Sequence, residues 1–306
     1  MVGVTFFSDG VALAHIEGGD GTALQLRQAT SVDCAAGGHG AELARMVQRF
    51  GLQGCACVAV MARGTYSLVQ VEVPAVPEEE QVDAVRWQIK DLLDFPAEEA
   101  VIEMLPAPAA SSGNMAFTVA AAQEKVRYVV DAVTEAGLDL KAIDIPELVL
   151  RNVLMCTDEQ QRGVALLTLW EDSGLITIVR DGDLCMARRI NLGVEKLVSA
   201  GEEGYVEGVE ITSAQQEILD AIVLEIQRSL DYYESGVARQ PVAKVYVAPL
   251  VRPVDGLLDY LDSYLAPPVS AFELNAYLDD AVLEDDNARR ARCLAAIGAA
   301  MRREWS

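Results

Sequence analysis

Apolar positions along this chain follow two periods, and the switches between them cut it into repeating blocks. Residues 2–7, 10–17 and 22–30 read as three strands, joined at Ser8-Asp9-Gly10 and at Gly18-Gly19-Asp20-Gly21, where glycine supplies positive φ. A helical stretch over 40–50 and a strand over 55–61 complete the order β-β-β-α-β. After Arg162 the order begins again. "GVALLTLW" (163–170) is an apolar strand, "EDSG" turns, and "LITIVRDGDLCMARRI" gives two strands around Asp181-Gly182. A helix over 213–235 then carries Ile218, Ile222, Ile226, Leu230 and Tyr233 on one stripe, and "KVYVAP" (244–249) makes the next strand. The halves share an architecture with little residue identity.

Between them lies a block of different pattern. "SLVQVEVP" (67–74) alternates, and a helix over 78–94 puts Val82, Val85, Ile89, Leu92 and Leu93 on one face. Strands "AVIEML" and "MAFTVAAA" follow, separated by the flexible "PAPAASSGN". A helix over 124–136 is stopped by Gly137, and "LKAIDIP" returns as a strand whose Pro146 suits the opening of another helix. The pattern β-α-β-β-α-β suffices for an α+β subdomain inserted in the first half. A last helix over 287–303 points Leu294, Ile297 and Met301 inward.

Charge narrows the function classes. With 24 basic against 47 acidic residues the net charge is −23, so the average surface repels nucleic-acid backbones and anionic lipids. No apolar run reaches the ~18 residues of a membrane-spanning helix, and the N-terminus lacks the pattern of a signal peptide, so a soluble cytoplasmic protein is expected. The six cysteines are scattered in apolar stretches, as reduced thiols are. Cys55 and Cys57 share a strand face and could be imagined with Cys34 and His39 around a metal, but no CxxC pair supports that, and no metal is expected. His15 and His39 are the only histidines, and neither sits in a nucleophile motif.

The stretches "VEVPAVPEEEQVDAVRWQIKDLLDFP" (71–96), "GLDLKAIDIPELVLRNVL" (137–154), "EIQRSLDYYES" (225–235) and "AAIGAAMRR" (295–303) resemble, in order along the chain, the PilM family of type IV pilus biogenesis proteins, and more closely its MshI branch. The resemblance implies an α/β, actin-like (ribonuclease-H-like) fold with duplicated β-β-β-α-β lobes and an inserted subdomain like that of FtsA. On this reading residues 1–66 begin lobe I, 67–146 form the insert, 147–286 form lobe II, and 287–306 return to lobe I as a helix.

Active members of that fold hold a nucleotide between the lobes on two hairpins, each with an Asp for the magnesium shell and glycine backbone bare toward the phosphates. Here the family's Asp-x-Gly falls on Thr5-Phe6-Phe7 and on Thr168-Leu169-Trp170, its small or basic residue after the first turn on Ala12, and its adenine-cradling Gly-Gly turn on "VAPLVRP" (247–253), with Pro249. Losing two charge-assisted contacts at ~1.5 to 3 kcal/mol each weakens binding by two or more orders of magnitude. Thr5, Phe7, Ala12, Thr168, Trp170 and Pro249 are therefore degenerate nucleotide-pocket positions, and no cofactor is expected. Phe7 and Trp170 either fill the cleft or serve as ordinary core residues at strand ends. Asp9 and Asp172 read as caps of their own turns rather than as replacement carboxylates.

The resemblance further implies recognition in place of catalysis. The expected role is a non-catalytic adaptor of a type IV (MSHA-type) pilus inner-membrane platform that grips the N-terminal tail of a PilN-like single-pass membrane protein, recruited with other platform proteins to the cytoplasmic face. Candidate groove residues are Val71, Val73, Trp87 and Phe95, each more simply explained by burial in its own element. Two alternatives stay open: an ATP- and Mg-binding switch or weak ATPase, and a cytoplasmic scaffold of a type II secretion system, disfavoured because the chain stops at Ser306 without a membrane helix. Self-association is also open.

Overall fold

The computed structural model describes residues 1–302 except 20–21, 36, 107–113, 204–210, 280 and 284–285. Asp20 and Gly21 of the expected turn, most of the stretch 106–114 and the tail 303–306 fall outside that description.

Strands β1 (Val2–Phe6), β2 (Gly10–Gly19) and β3 (Thr22–Asp33) form an antiparallel meander, and α1 (His39–Phe50) returns the chain to β4 (Ala56–Val60), parallel to β1. Next come β5 (Tyr66–Glu72), α2 (Glu78–Ile89), β6 (Ala100–Met104) and β7 (Met115–Ala122), which make a separate antiparallel sheet of order β5-β7-β6. Helix α3 (Gln123–Glu135) leads to β8 (Asp139–Asp144), which pairs parallel to β4 and completes a first sheet of order β3-β2-β1-β4-β8. Helix α4 (Pro146–Leu154) then enters the second lobe: β9 (Val164–Leu169), β10 (Gly174–Arg180), β11 (Asp183–Ile190), α5 (Val194–Glu203), α6 (Ser213–Tyr232), β12 (Lys244–Val247), α7 (Leu257–Tyr264) and β13 (Val269–Ala271). Its sheet runs β11-β10-β9-β12-β13, so both lobes share one order and one pattern of strand directions. Helix α8 (Asn287–Ala300) closes the chain.

Local chemistry accounts for these elements. β1 and β9 are apolar without alternation because both faces of a mixed central strand are covered, and each is buried along its whole length. Pro146 occupies the first turn of α4, and Gly137, at φ 85°, ends the helix before it. Thr212 and Gln215 form a reciprocal capping box at the start of α6, whose last turn widens into a π-turn over Tyr233–Ala238.

The sheet pairing draws the insert more narrowly than the sequence does. The β-α-β pattern over 115–144 has the same periodicity whichever sheet its last strand joins. In the structure β8 joins β4, and α3 packs Val129, Ala132 and Val133 against Leu43, Met46 and Val47 of α1. The insert is therefore residues 66–122, and α3 and β8 belong to lobe I.

Helices α4 and α8 fuse the lobes. One core contains Ala12, Ala14 and Ile16 of β2, Leu150 and Leu154 of α4, Leu166 of β9, Leu175 of β10, and Leu294 and Ile297 of α8. Helix α8 runs against β1, with Arg292 near the β1–β2 turn and Ala300 beside Gly3 at the far end. No helix among the described residues is long and apolar enough to cross a membrane.

Candidate functional site: the cleft between the lobes

The duplicated hairpins end in matching four-residue turns. Phe7 N–H donates to the Gly10 carbonyl at 2.8 Å, and Trp170 N–H donates to the Ser173 carbonyl at 2.9 Å. Register makes the correspondence explicit: Thr5 faces Ala12 across the first hairpin, and Thr168 faces Leu175 across the second. The two turns meet across a cavity of about 230 Å³ lined by Phe7, Asp9, Thr168, Trp170, Asp172 and Pro249. Four of the six expected positions thus line one space. Thr5 and Ala12 lie behind it, buried in the strands.

Two arginines that sequence reasoning passed over complete the site. Arg63, in the loop after β4, lies 4.3 Å from the Trp170 ring centroid and donates to Asp172 Oδ1 at 2.9 Å and to the Ser173 hydroxyl. Arg292 of α8 lies 5.8 Å from the Phe7 centroid and donates to Asp9 Oδ2 at 3.1 Å and to Asp33. Each turn therefore carries the same trio of aromatic ring, covering guanidinium and turn aspartate. Asp172 does accept within its own turn, from the Ser173 hydroxyl at 2.9 Å, and both aspartates also pair with arginines. Phe7 and Trp170 line the cavity and, partly buried, pack against the inter-lobe core.

Arg63 belongs to lobe I and Asp172 to lobe II, so this ion pair bridges the cleft and separates the first cavity from a second of about 320 Å³. Partial burial opposes the charged Asp172 carboxylate, but the hydrogen bonds from Arg63 and Ser173 outweigh it and hold the group below its ordinary value. A depressed carboxylate gives stability that is complete above the ordinary value and is lost as pH falls through the lowered one, so the bridge persists into mildly acid solution. Removing it with Arg63→Ala is expected to cost about 1 kcal/mol, the range of a partly exposed ion pair and its cation–π contact, read as a lower urea midpoint.

His39 supports the first turn. Its Nε2 lies 3.0 Å from the Phe7 carbonyl and its Nδ1 lies 2.6 Å from the Tyr128 hydroxyl. A carbonyl can only accept, so Nε2 donates, and in the neutral ring Nδ1 accepts from the tyrosine. Both nitrogens are thereby occupied within the fold. No cluster of three or more metal-ligating side chains occurs among the described residues.

Of the four expected groove residues, Val71 and Phe95 meet in the core of the insert rather than along a groove. Val71 is buried with Val85 and Ile89 in the core of the insert, and Phe95 packs against that core. Val73 exchanges hydrogen bonds with Asn114 at the end of its strand. Only Trp87 is exposed, at 68 %, with the Lys90 ammonium 5.6 Å from its ring. Alternation along β5 is the physical reason: Val69 and Val71 face α2, whereas Leu68 and Gln70 face the other way. That other face borders a groove of about 380 Å³ between Leu68, Gln70 and Phe117 of the insert and Met186, Arg188 and Tyr232 of lobe II. Tyr232 donates to Gln70 Oε1 across it at 3.2 Å. One wall is β11, an edge strand that among the described residues pairs only with β10. At its base Glu147 of α4, 1 % exposed, accepts from Tyr66 of β5 and from Arg189 of β11, at 3.0 Å from Nη2, and the guanidinium lies 4.7 Å from the Tyr66 ring centroid.

A scan against protein-family models finds no match for this chain, and a search of curated proteins finds none. Solved structures do match. A chain of the "PilM-PilN type IV pilus biogenesis complex" superposes with a TM-score of 0.74 at 18% identity, covering 98% of this chain and 97% of that one. A Bacteroides thetaiotaomicron protein with an actin-like ATPase fold gives 0.50 at 8% identity over 91% of each chain. The cytoplasmic domain of EpsL, an inner-membrane component of the type II secretion system of Vibrio cholerae, gives 0.48 at 12% identity over 89% of this chain and 85% of that one. The duplicated sheets, the insert after β4 and the superpositions on the first two of these structures together identify the fold of this chain as the actin-like ATPase fold, in the form seen in the PilM–PilN structure.

Proposed function

We propose that this protein is a nucleotide-independent adaptor of a type IV pilus inner-membrane platform, of the MSHA type, that holds the N-terminal tail of a PilN-like single-pass membrane protein. The observation that carries the reading is the near-complete superposition, insert included, on a chain from a complex with PilN. The tail would lie in the groove between the insert and lobe II, where β11 offers a sheet edge for main-chain hydrogen bonds and the half-buried Leu68 and the exposed Tyr232 offer apolar contact. Segments that precede a membrane helix on the cytoplasmic side are rich in Lys and Arg, and a protein of net charge −23 attracts them. Through such a partner the chain would sit at the cytoplasmic face of the inner membrane.

Nucleotide independence is supported by the cleft. Its two arginines are already paired with Asp9, Asp33 and Asp172, and the Arg63–Asp172 bridge divides the space into cavities of about 230 and 320 Å³. A ligand at about a hundredfold excess over its Kd adds ~2.7 kcal/mol to stability, several degrees in Tm. Millimolar ATP with magnesium is expected to leave Tm unchanged. A saturable rise abolished by Trp170→Ala would favour the ATP-gated switch instead.

A further inference from the structure

A second site lies at the end of the molecule away from the cleft, where the last turns of α4 and α8 meet strand β3 and the segment after β13. A cavity of about 500 Å³ opens there, well inside the ~300 to 1,000 Å³ range of small-molecule pockets. Its described lining includes two charged side chains, Arg151 and Arg302, and no acidic one. In a chain of net charge −23, a concave surface whose only lining charges are cationic is a local reversal of the overall field.

The two arginines are set differently. Arg302 donates to Asp144 Oδ2 at 2.9 Å, and that carboxylate is almost fully buried, which fixes where the guanidinium stands. Arg151 donates through Nη2 to Asn152 Oδ1 at 3.1 Å, a neutral partner, and its buried Nε has no hydrogen-bond partner among the described residues. Apolar and aromatic surface completes the wall: Leu24, Met155, Met301 and Tyr277, whose ring stacks on Phe272 with centroids 5.4 Å apart. Met155 is 47% exposed although it ends α4 at this cavity.

We infer that this cavity binds a small organic anion, a carboxylate or phosphate ester with a planar apolar body. The anionic head pairs with Arg151, whose charge has no carboxylate within ion-pair distance among the described residues, and the body lies against Met155, Leu24 and Tyr277. The inference does not depend on the groove or its peptide, because the two sites share no lining residue.

Calorimetric titration of the full chain with four probes tests it. Inorganic phosphate supplies the head alone, adenosine a planar body alone, and AMP and benzoate supply both. At least one of AMP and benzoate is expected to bind at a single site, and more tightly than phosphate or adenosine. Arg151→Gln and Met155→Glu should each weaken that binding about tenfold or more, while Met155→Lys should preserve or strengthen it. Arg63→Ala, in the cleft, should leave it unchanged. If Arg151→Gln fails to fold, the Met155 pair carries the test, since that side chain is half exposed. No saturable binding at millimolar probe, binding indifferent to both Arg151→Gln and Met155→Glu, or adenosine binding as tightly as AMP would each overturn the inference. Loss of this site would leave peptide capture in the groove intact, so the two fail separately.

Discussion

Gly298→Val is expected to destabilise the fold by about 3 kcal/mol, lowering Tm by roughly 5 °C in calorimetry. A Cβ at Gly298 would stand 2.1 Å from the Val149 carbonyl oxygen, and one at Gly3 would stand 1.8 Å from that of Ala296. The contacts are backbone atoms of neighbouring elements, so no rotamer change relieves them, and α8 must move off β1 and α4. That seam holds the inter-lobe core together and aims Arg292 at the first turn, so the variant should also loosen the cleft. Gly40→Ala is the matching contrast. Its Cβ would meet Ala132 at 3.6 Å, an ordinary contact, within α1, and a gain of about 0.5 kcal/mol is expected there.

Glu147→Ala is expected to cost about 3 kcal/mol, because it leaves the buried Tyr66 hydroxyl without its acceptor and Arg189 without its counter-charge. The arginine side chain is 42% exposed and recovers part of its solvation from water, which keeps the loss at the lower end for a buried pair. Glu147→Gln retains an acceptor for the tyrosine and should lose about half as much. The functional consequence is larger than the stability change suggests. Glu147, Tyr66 and Arg189 join α4, the insert and the edge strand at the base of the groove, so peptide affinity should fall in both variants under conditions where each remains folded.

Much of this architecture is legible in the sequence for a simple reason. Strand period, turn glycines and helical stripes are local, and they place both hairpins, α6 and α8 within a few residues of where they lie. The resemblance in sequence points to Phe7, Thr168, Trp170 and Pro249, and the structure sets these four around one cavity. Partner choice over long range is not written in any period. "LKAIDIP" reads as a strand whichever sheet receives it, which is why the boundary of the insert shifts from 146 to 122. Arg63 and Arg292 carry no motif, and their roles exist only because α8 and the loop after β4 meet the turns in space. The alternation of "SLVQVEV" distinguishes Leu68 and Gln70 from Val69 and Val71, but not which face α2 covers.

The most direct test of the adaptor account is fluorescence anisotropy of a labelled N-terminal peptide from a neighbouring single-pass pilus protein, titrated with the full chain in the presence and absence of millimolar ATP and magnesium. The account predicts saturable binding with the same Kd in both conditions, weakened by Tyr232→Ala at the groove, a side chain 44% exposed, and by added salt. Binding that appears only when nucleotide is present would contradict it.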